Sequence, residues 1–137
     1  MNHRLGFFDG DIIKDNDIVA AGSIEAAIDQ KFDFRYMTDI QIEVQSFEQL
    51  DQVLEDGRVH MILLDNMNLD NLKDAVNRIR GVGEASITKK PYILEASGIG
   101  SLNFLEVALT GVDFISTSAL VRSAPPLDFN LKIVRLS

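Results

Sequence analysis

A unit recurs about five times along this chain: a short β-rich apolar run, a polar loop, then a helical stretch whose apolar residues fall three and four apart. Connections of that length are too long for hairpins, so neighbouring strands must run parallel and be joined by right-handed crossovers. An α/β fold follows, with function expected at the carboxyl ends of the strands. The 137 residues contain no linker or low-complexity segment and read as a single domain, 1–137. Two architectures satisfy the pattern. A closed eight-unit barrel takes roughly 250 residues, so this chain would form part of one. A five-stranded doubly wound sheet would fit the length whole.

The units are specific. Ile12-Ile13 leads to Lys14, and after a polar loop Ser23 caps a helix with Ile24, Ala27 and Ile28 on one face. Ile40, Ile42 and Val44 then alternate with Gln41, Glu43 and Gln45. The next helix opens on the capping box Ser46-Phe47-Glu48-Gln49, turns Phe47, Leu50 and Leu54 inward and stops at Gly57. Val59 to Leu64 is almost continuously apolar, as a parallel strand covered on both faces should be, and ends at Asp65. Asn68 caps a helix with Leu69, Leu72, Val76 and Ile79 as its buried stripe and Gly81 as its terminator. Tyr92-Ile93-Leu94 makes a fourth strand, closing with Glu95-Ala96-Ser97-Gly98. Leu102, Leu105 and Leu109 mark a helix that ends at Gly111, and Val112 to Ser116 is a fifth strand. Ser118 to Ser123 forms a short helix before Pro125-Pro126 interrupts, and Leu127 to Leu136 is a mixed tail.

Composition removes whole classes of chemistry. With no cysteine there is no disulfide scaffold, thiolate zinc site, iron–sulfur cluster or cysteine nucleophile. Thirteen Lys and Arg against twenty-one Asp and Glu give a net charge of −8, which repels a phosphate backbone and argues against nucleic acid. Apolar stretches such as Met61 to Leu64 fall far short of the roughly 18 residues of a membrane span. Met1-Asn2-His3-Arg4 leads into no signal-peptide core, so a cytoplasmic location is expected.

The strand ends and following loops gather polar residues on one rim: His3, Arg4, Lys14 with Asp15, Glu43, Asp65, Ser97-Gly98 and Ser116-Thr117-Ser118. Cations at one end and hydroxyls with glycine at the other suit an anionic ligand, with carboxylates between them for a hydroxylated or metal-bound part. Each has a structural explanation too. His3 and Arg4 can be a solvated terminus. Lys14 can pair with Asp15 or Asp17, Glu43 can be the solvent face of an edge strand, and Asp65-Asn66 can cap a helix. Ser97-Gly98 can be a tight strand-to-helix turn. His60, inside an apolar strand region, reads as a packed or rim histidine.

Taken in order, the blocks Asn2-His3-Arg4-Leu5-Gly6, Ile13-Lys14-Asp15-Asn16 with Ala20-Ala21-Gly22-Ser23-Ile24, Ile42-Glu43-Val44, Leu63-Leu64-Asp65-Asn66-Met67, Leu94-Glu95-Ala96-Ser97-Gly98, Thr110-Gly111-Val112-Asp113-Phe114-Ile115-Ser116 and Ser123-Ala124-Pro125 resemble quinolinate phosphoribosyltransferase, also called carboxylating nicotinate-nucleotide pyrophosphorylase. The resemblance covers essentially the whole chain and the carboxyl-terminal half or so of the family's enzyme. The family's amino-terminal α/β domain, with further pocket arginines, is not among these blocks. The resemblance implies a partial, open TIM-like barrel rather than the doubly wound sheet. It also implies formation of nicotinate mononucleotide, carbon dioxide and pyrophosphate from quinolinate and phosphoribosyl pyrophosphate with Mg2+, in NAD biosynthesis. By the same resemblance, His3, Arg4 and Lys14 line the quinolinate pocket, and Lys14, Glu43 and Asp65 are the catalytic set. Glu43 and Asp65 lie near the ribose and the metal, directly or indirectly. Ser97 and Gly98 form the phosphate-binding turn, with Ser118 and Arg122 in the neighbouring loop.

Four departures from the family stand out: Asp17 for a histidine, Ile99 for a second glycine, Ser118-Ala119-Leu120-Val121-Arg122-Ser123 for Gly-Ala-Leu-Thr-His-Ser, and Gln41 for the first of two glutamates. A β-branched Ile99 would obstruct the turn if that position required positive φ. A partial barrel also leaves a strand edge to be covered, so a homo-oligomer or a partner chain is expected. The alternative function is a non-catalytic binding or interaction chain derived from this enzyme.

Overall fold

The strands of this chain pair in the order in which they occur. A computed structural model describes residues 11–32, 40–85, 87, 89–100 and 103–118. Five strands, β1 (Asp11–Ile13), β2 (Ile40–Val44), β3 (Met61–Asp65), β4 (Ile93–Ser97) and β5 (Phe114–Ile115), form one sheet in the order β1-β2-β3-β4-β5. Every neighbouring pair is parallel. Among the described residues strand order does not reverse, unlike that of a doubly wound sheet of the 2-1-3-4-5 type. The arrangement is that of a barrel wall left open, with β1 and β5 each paired on one side among the described residues.

Helices α1 (Asp15–Ala21), α2 (Ile24–Lys31), α3 (Phe47–Asp56), α4 (Leu69–Val82) and α5 (Phe104–Ala108) fill the crossovers. The capping side chains act as the sequence implies: Ser23 accepts from Ala26 N–H at 3.1 Å, Ser46 from Gln49 N–H at 3.3 Å and Asn68 from Asn71 N–H at 2.8 Å. Gln49 does not return the bond to Ser46 but accepts from Gln45 N–H at 2.8 Å, one residue earlier. Ile13, Ile42, Val44, Ile62, Leu64 and Leu94 pack against Ile28, Leu50, Val53, Leu72, Val76 and Ile79 to make one core. His60 is packed within this layer at 3% exposure.

Several boundaries differ from the sequence reading. The polar stretch after Lys14 is a helix, α1, because Asp17 accepts from Lys14 N–H at 2.9 Å and Gly22 ends the turn at φ 92°. Lysine carries no acceptor, so the Lys14 side chain cannot return a bond to the Asp17 N–H. Helix α4 runs through Gly81, and Gly83 at φ 87° is the terminator. Strand β4 extends through Glu95 to Ser97, whereas β3 starts at Met61 and β5 holds two residues. Helix α5 buries Val107; Leu105 and Leu109, expected inside, are 66% and 76% exposed. The helix expected from Ser118 to Ser123 and the tail from Leu127 lie outside the described residues, Ser118 apart.

Tyr92 enters β4 fully buried, and among the described residues its hydroxyl has no hydrogen-bond partner. Burial, and then the negative charge of Asp56, push its ionisation up. Tyr92→Phe is therefore expected to keep or gain up to about 1 kcal/mol in denaturant unfolding, while Tyr92→Ala loses about 3–5 kcal/mol. Because the folded pKa lies above the ordinary value near 10, Tyr92 favours the native state fully below that pH, and this contribution drains away as pH rises through the folded value. Unfolding curves of Tyr92→Phe should thus be less alkali-sensitive than those of the parent chain.

Candidate active site

Parallel pairing decides which side chains share a face. On β2, Ile40, Ile42 and Val44 enter the helical core, so Gln41, Glu43 and, just past the strand, Gln45 point to the opposite, concave face. The register aligns Glu43 with Leu63 and Leu63 with Glu95, and it sets Asp65 beside Ser97. Lys14 follows Ile13, the partner of Ile42, so it stands one residue beyond β1 on the same face as Glu43. The ends of β2, β3 and β4 thereby bring Glu43, Asp65 and Ser97 together at one rim, while Lys14 follows β1 as the residue that opens α1.

Hydrogen bonds organise this rim into two sets. Gln45 Nε2 donates to Glu43 Oε1 at 3.1 Å and to Asp65 Oδ2 at 3.2 Å, so one amide sits between the two carboxylates. Ser97 Oγ donates to the other oxygen of Asp65 at 2.5 Å. Deeper on the same face, Glu95 is 8% exposed and both its oxygens are held, one by Gln41 Nε2 at 2.8 Å and one by Ser116 Oγ. A buried carboxylate is tolerated when donors satisfy it in this way.

Behind the carboxylates lies a tight turn. Gly98 has φ 63°, and a Cβ placed there would lie 2.9 Å from both Asn66 N and Asp65 Oδ1. Asn66, itself at φ 53°, donates its N–H to Ser97 O at 3.1 Å, tying the loop after β3 to the end of β4. Glycine is required here by conformation and by space together. Ile99 is 4% exposed, belongs to the core and is not a positive-φ position, so the obstruction expected of a β-branched residue does not arise; Gly98 and Gly100 take the positive-φ conformations instead.

Ser118 is exposed on the loop beyond β5. His3, Arg4 and Arg122 lie outside the described residues. Sequence reading missed Glu95 as a site residue and gave no role to Gln45. The signal was present: Glu95 interrupts the apolar run Tyr92-Ile93-Leu94, and the period of two along β2 puts Gln41, Glu43 and Gln45 on one face. A separate cavity of about 720 Å³ is lined by Glu25, Asp29, Glu55, Asp56 and Arg58 on the helical side. Its guanidinium is already held by Asp29 and Asp56, which makes that cavity unsuited to an anion.

Glu43 and Asp65 supply hard oxygen donors that converge on the Gln45 nitrogen, a donor set that fits a divalent cation shared with a substrate. Among the described residues no three His, Cys, Asp or Glu side chains cluster as a metal cage. Among the same residues no helix is long and apolar enough to cross a membrane.

Residues 1–132 match the family model for quinolinate phosphoribosyl transferase, C-terminal domain. A probable carboxylating nicotinate-nucleotide pyrophosphorylase of Synechocystis is 41% identical over 98% of this chain and 44% of its own length. The corresponding Mycobacterium leprae protein is 37% identical over 97% of the chain and 45% of its length. The crystal structure of nicotinate-nucleotide pyrophosphorylase from Ehrlichia chaffeensis superposes with a TM-score of 0.69 at 36% identity, covering 88% of this chain and 41% of that one. The chain thus spans less than half the length of these relatives, and its sheet corresponds to part of their TIM-like barrel. By sequence, strand order and superposition, it belongs to the quinolinate phosphoribosyltransferase family, as that family's carboxyl-terminal domain.

Proposed function

We propose that this chain carries the ribose, metal and phosphate side of a site for phosphoribosyl transfer to quinolinate, giving nicotinate mononucleotide, carbon dioxide and pyrophosphate. The supporting observation is the convergence of Glu43, Asp65, Ser97 and the close-packed Gly98 at adjacent strand ends. In this reading the bond from the anomeric carbon to the pyrophosphate oxygen breaks as the pyridine nitrogen bonds to that carbon. The adjacent ring carboxylate leaves as carbon dioxide, and the ring carbon takes a proton. Positive charge develops at the anomeric carbon in between, and the carboxylates of Glu43 and Asp65 accept from ribose hydroxyls while stabilising it.

Glu43 and Asp65 would hold magnesium together with the substrate, and the ion would supply charge neutralisation for the departing pyrophosphate. Ser97 and the Gly98 backbone bind phosphate, with Ser118 and Arg122 alongside. His3, Arg4 and Lys14 grip the two carboxylates of quinolinate, Arg4 in bidentate fashion and Lys14 as a point charge. Among the described residues β1 and β5 are each paired on one side, and Phe114, in register with Glu95, is 54% exposed; both support a further copy or a partner chain completing the assembly.

Magnesium-dependent pyrophosphate release from quinolinate and phosphoribosyl pyrophosphate is the direct test. Turnover by the purified chain is expected to be lost in Arg4→Ala, with quinolinate binding weakened more than that of phosphoribosyl pyrophosphate; equal loss for both removes Arg4 from the pocket. Folded protein with no turnover would favour the non-catalytic binding chain. Sedimentation velocity should show an oligomer, and a monomer that resists concentration would refute the covered edge. Gly98→Ala is expected to lower stability by about 2–4 kcal/mol, combining left-handed strain with overpacking. The matched Gly100→Ala, where the nearest atom lies 3.9 Å away, should show the strain alone, about 1–2 kcal/mol.

A further inference from the structure

Gln45 places its side-chain amide between two carboxylates. Its Nε2 lies 3.1 Å from Glu43 Oε1 and 3.2 Å from Asp65 Oδ2, and the remaining Asp65 oxygen is already engaged by Ser97. The two hydrogens of one amide therefore satisfy the two carboxylate oxygens that a pair of hydroxyls, or a divalent cation, would otherwise bridge. Gln45 is exposed, and its backbone N–H is anchored separately on Gln49 Oε1 at 2.8 Å. The side chain can swing into water without unravelling the start of α3.

We propose that Gln45 is a displaceable placeholder: it holds Glu43 and Asp65 at their working separation when the site is empty and competes with the cation and ribose for the same oxygens. The inference rests on assigning this carboxylate pair to the metal and ribose end of the site. It adds a residue that sets affinity there without touching the reacting atoms. A ligand entering a site whose open form is a minor state binds more weakly by that fraction, so a placeholder lowers apparent affinity. Removing its amide should raise the affinity of the pair for a cation, because nothing then neutralises two carboxylates held side by side.

The test uses Mn2+ alone, followed by water-proton relaxation or electron paramagnetic resonance, on the 137-residue chain and on Gln45→Ala. Gln45→Ala is expected to bind Mn2+ about tenfold more tightly than the parent chain, corresponding to an open fraction of roughly one tenth in the parent. The gain should vanish in Gln45→Ala combined with Asp65→Asn. Equal affinity, or no binding by either protein, overturns the placeholder. Weaker binding by Gln45→Ala overturns it as well, since the amide oxygen would then be a ligand. Circular dichroism of each variant verifies that the strands persist. Failure of pyrophosphate release with a clear gain in Mn2+ affinity would sink the enzymatic reading and leave the placeholder standing.

Discussion

Glu95 lies on the face of β4 opposite the helical core with almost no exposure, and its two oxygens are satisfied there because Gln41 reaches it from β2 and Ser116 from the end of β5. An ionised carboxylate removed from water costs several kcal/mol unless hydrogen bonds replace hydration. These two donors come from elements on either side of it, and one of them spans β3. The side-chain chain from Gln41 through Glu95 to Ser116 therefore draws three strands toward one another on a single face. Glu43, aligned with Glu95 through Leu63, and the Asp65–Ser97 pair two residues further along the strands share that face. Curvature, burial of the polar floor and placement of the carboxylate pair are in this sense one constraint.

A second tie works from outside. Arg80 on α4 donates to the Tyr92 carbonyl at 2.7 Å and to Asp113 at 2.9 Å, and Asp113 in turn accepts from Leu94 N–H at 2.8 Å. The carboxylate replaces a ladder partner that the two-residue β5 is too short to offer. An aspartate in the approach to a strand and an arginine in a helix's last turn thus join α4, β4 and β5.

Much of this architecture was legible in the residues. Period-two alternation in β2, the apolar run of β3 and the caps Ser23, Ser46 and Asn68 encode local geometry, and local geometry is what spacing reports. Strand order was less legible, since periodicity does not say which strand pairs with which; motif blocks from Leu63 to Met67 and from Leu94 to Gly98 pointed to the barrel. Leu105 and Leu109 misled because an apolar stripe shows only that a face seeks burial, and within this chain that face of α5 meets solvent. Gly81 misled because one glycine in a last turn costs only about 1 kcal/mol, and Gly83, at positive φ, ends the helix instead. Glu95 and Gln45 escaped notice because their importance depends on partners 54 and 20 residues away, contacts that no local pattern carries. Among the departures, Asp17 gains a structural role as the acceptor that starts α1, and Ile99 simply joins the core.

The sequential order of the strands has a kinetic meaning. Each strand finds its partner across one intervening crossover, so no pairing must wait for a distant segment, and the entropy of loop closure is met in similar small steps. Assembly can begin at β2, β3 and β4, where the ladders are longest, and spread outward. A sheet built by such accretion needs no closed ring to have a nucleus. A segment of barrel wall can acquire its concave polar face during synthesis, before any closing surface meets it.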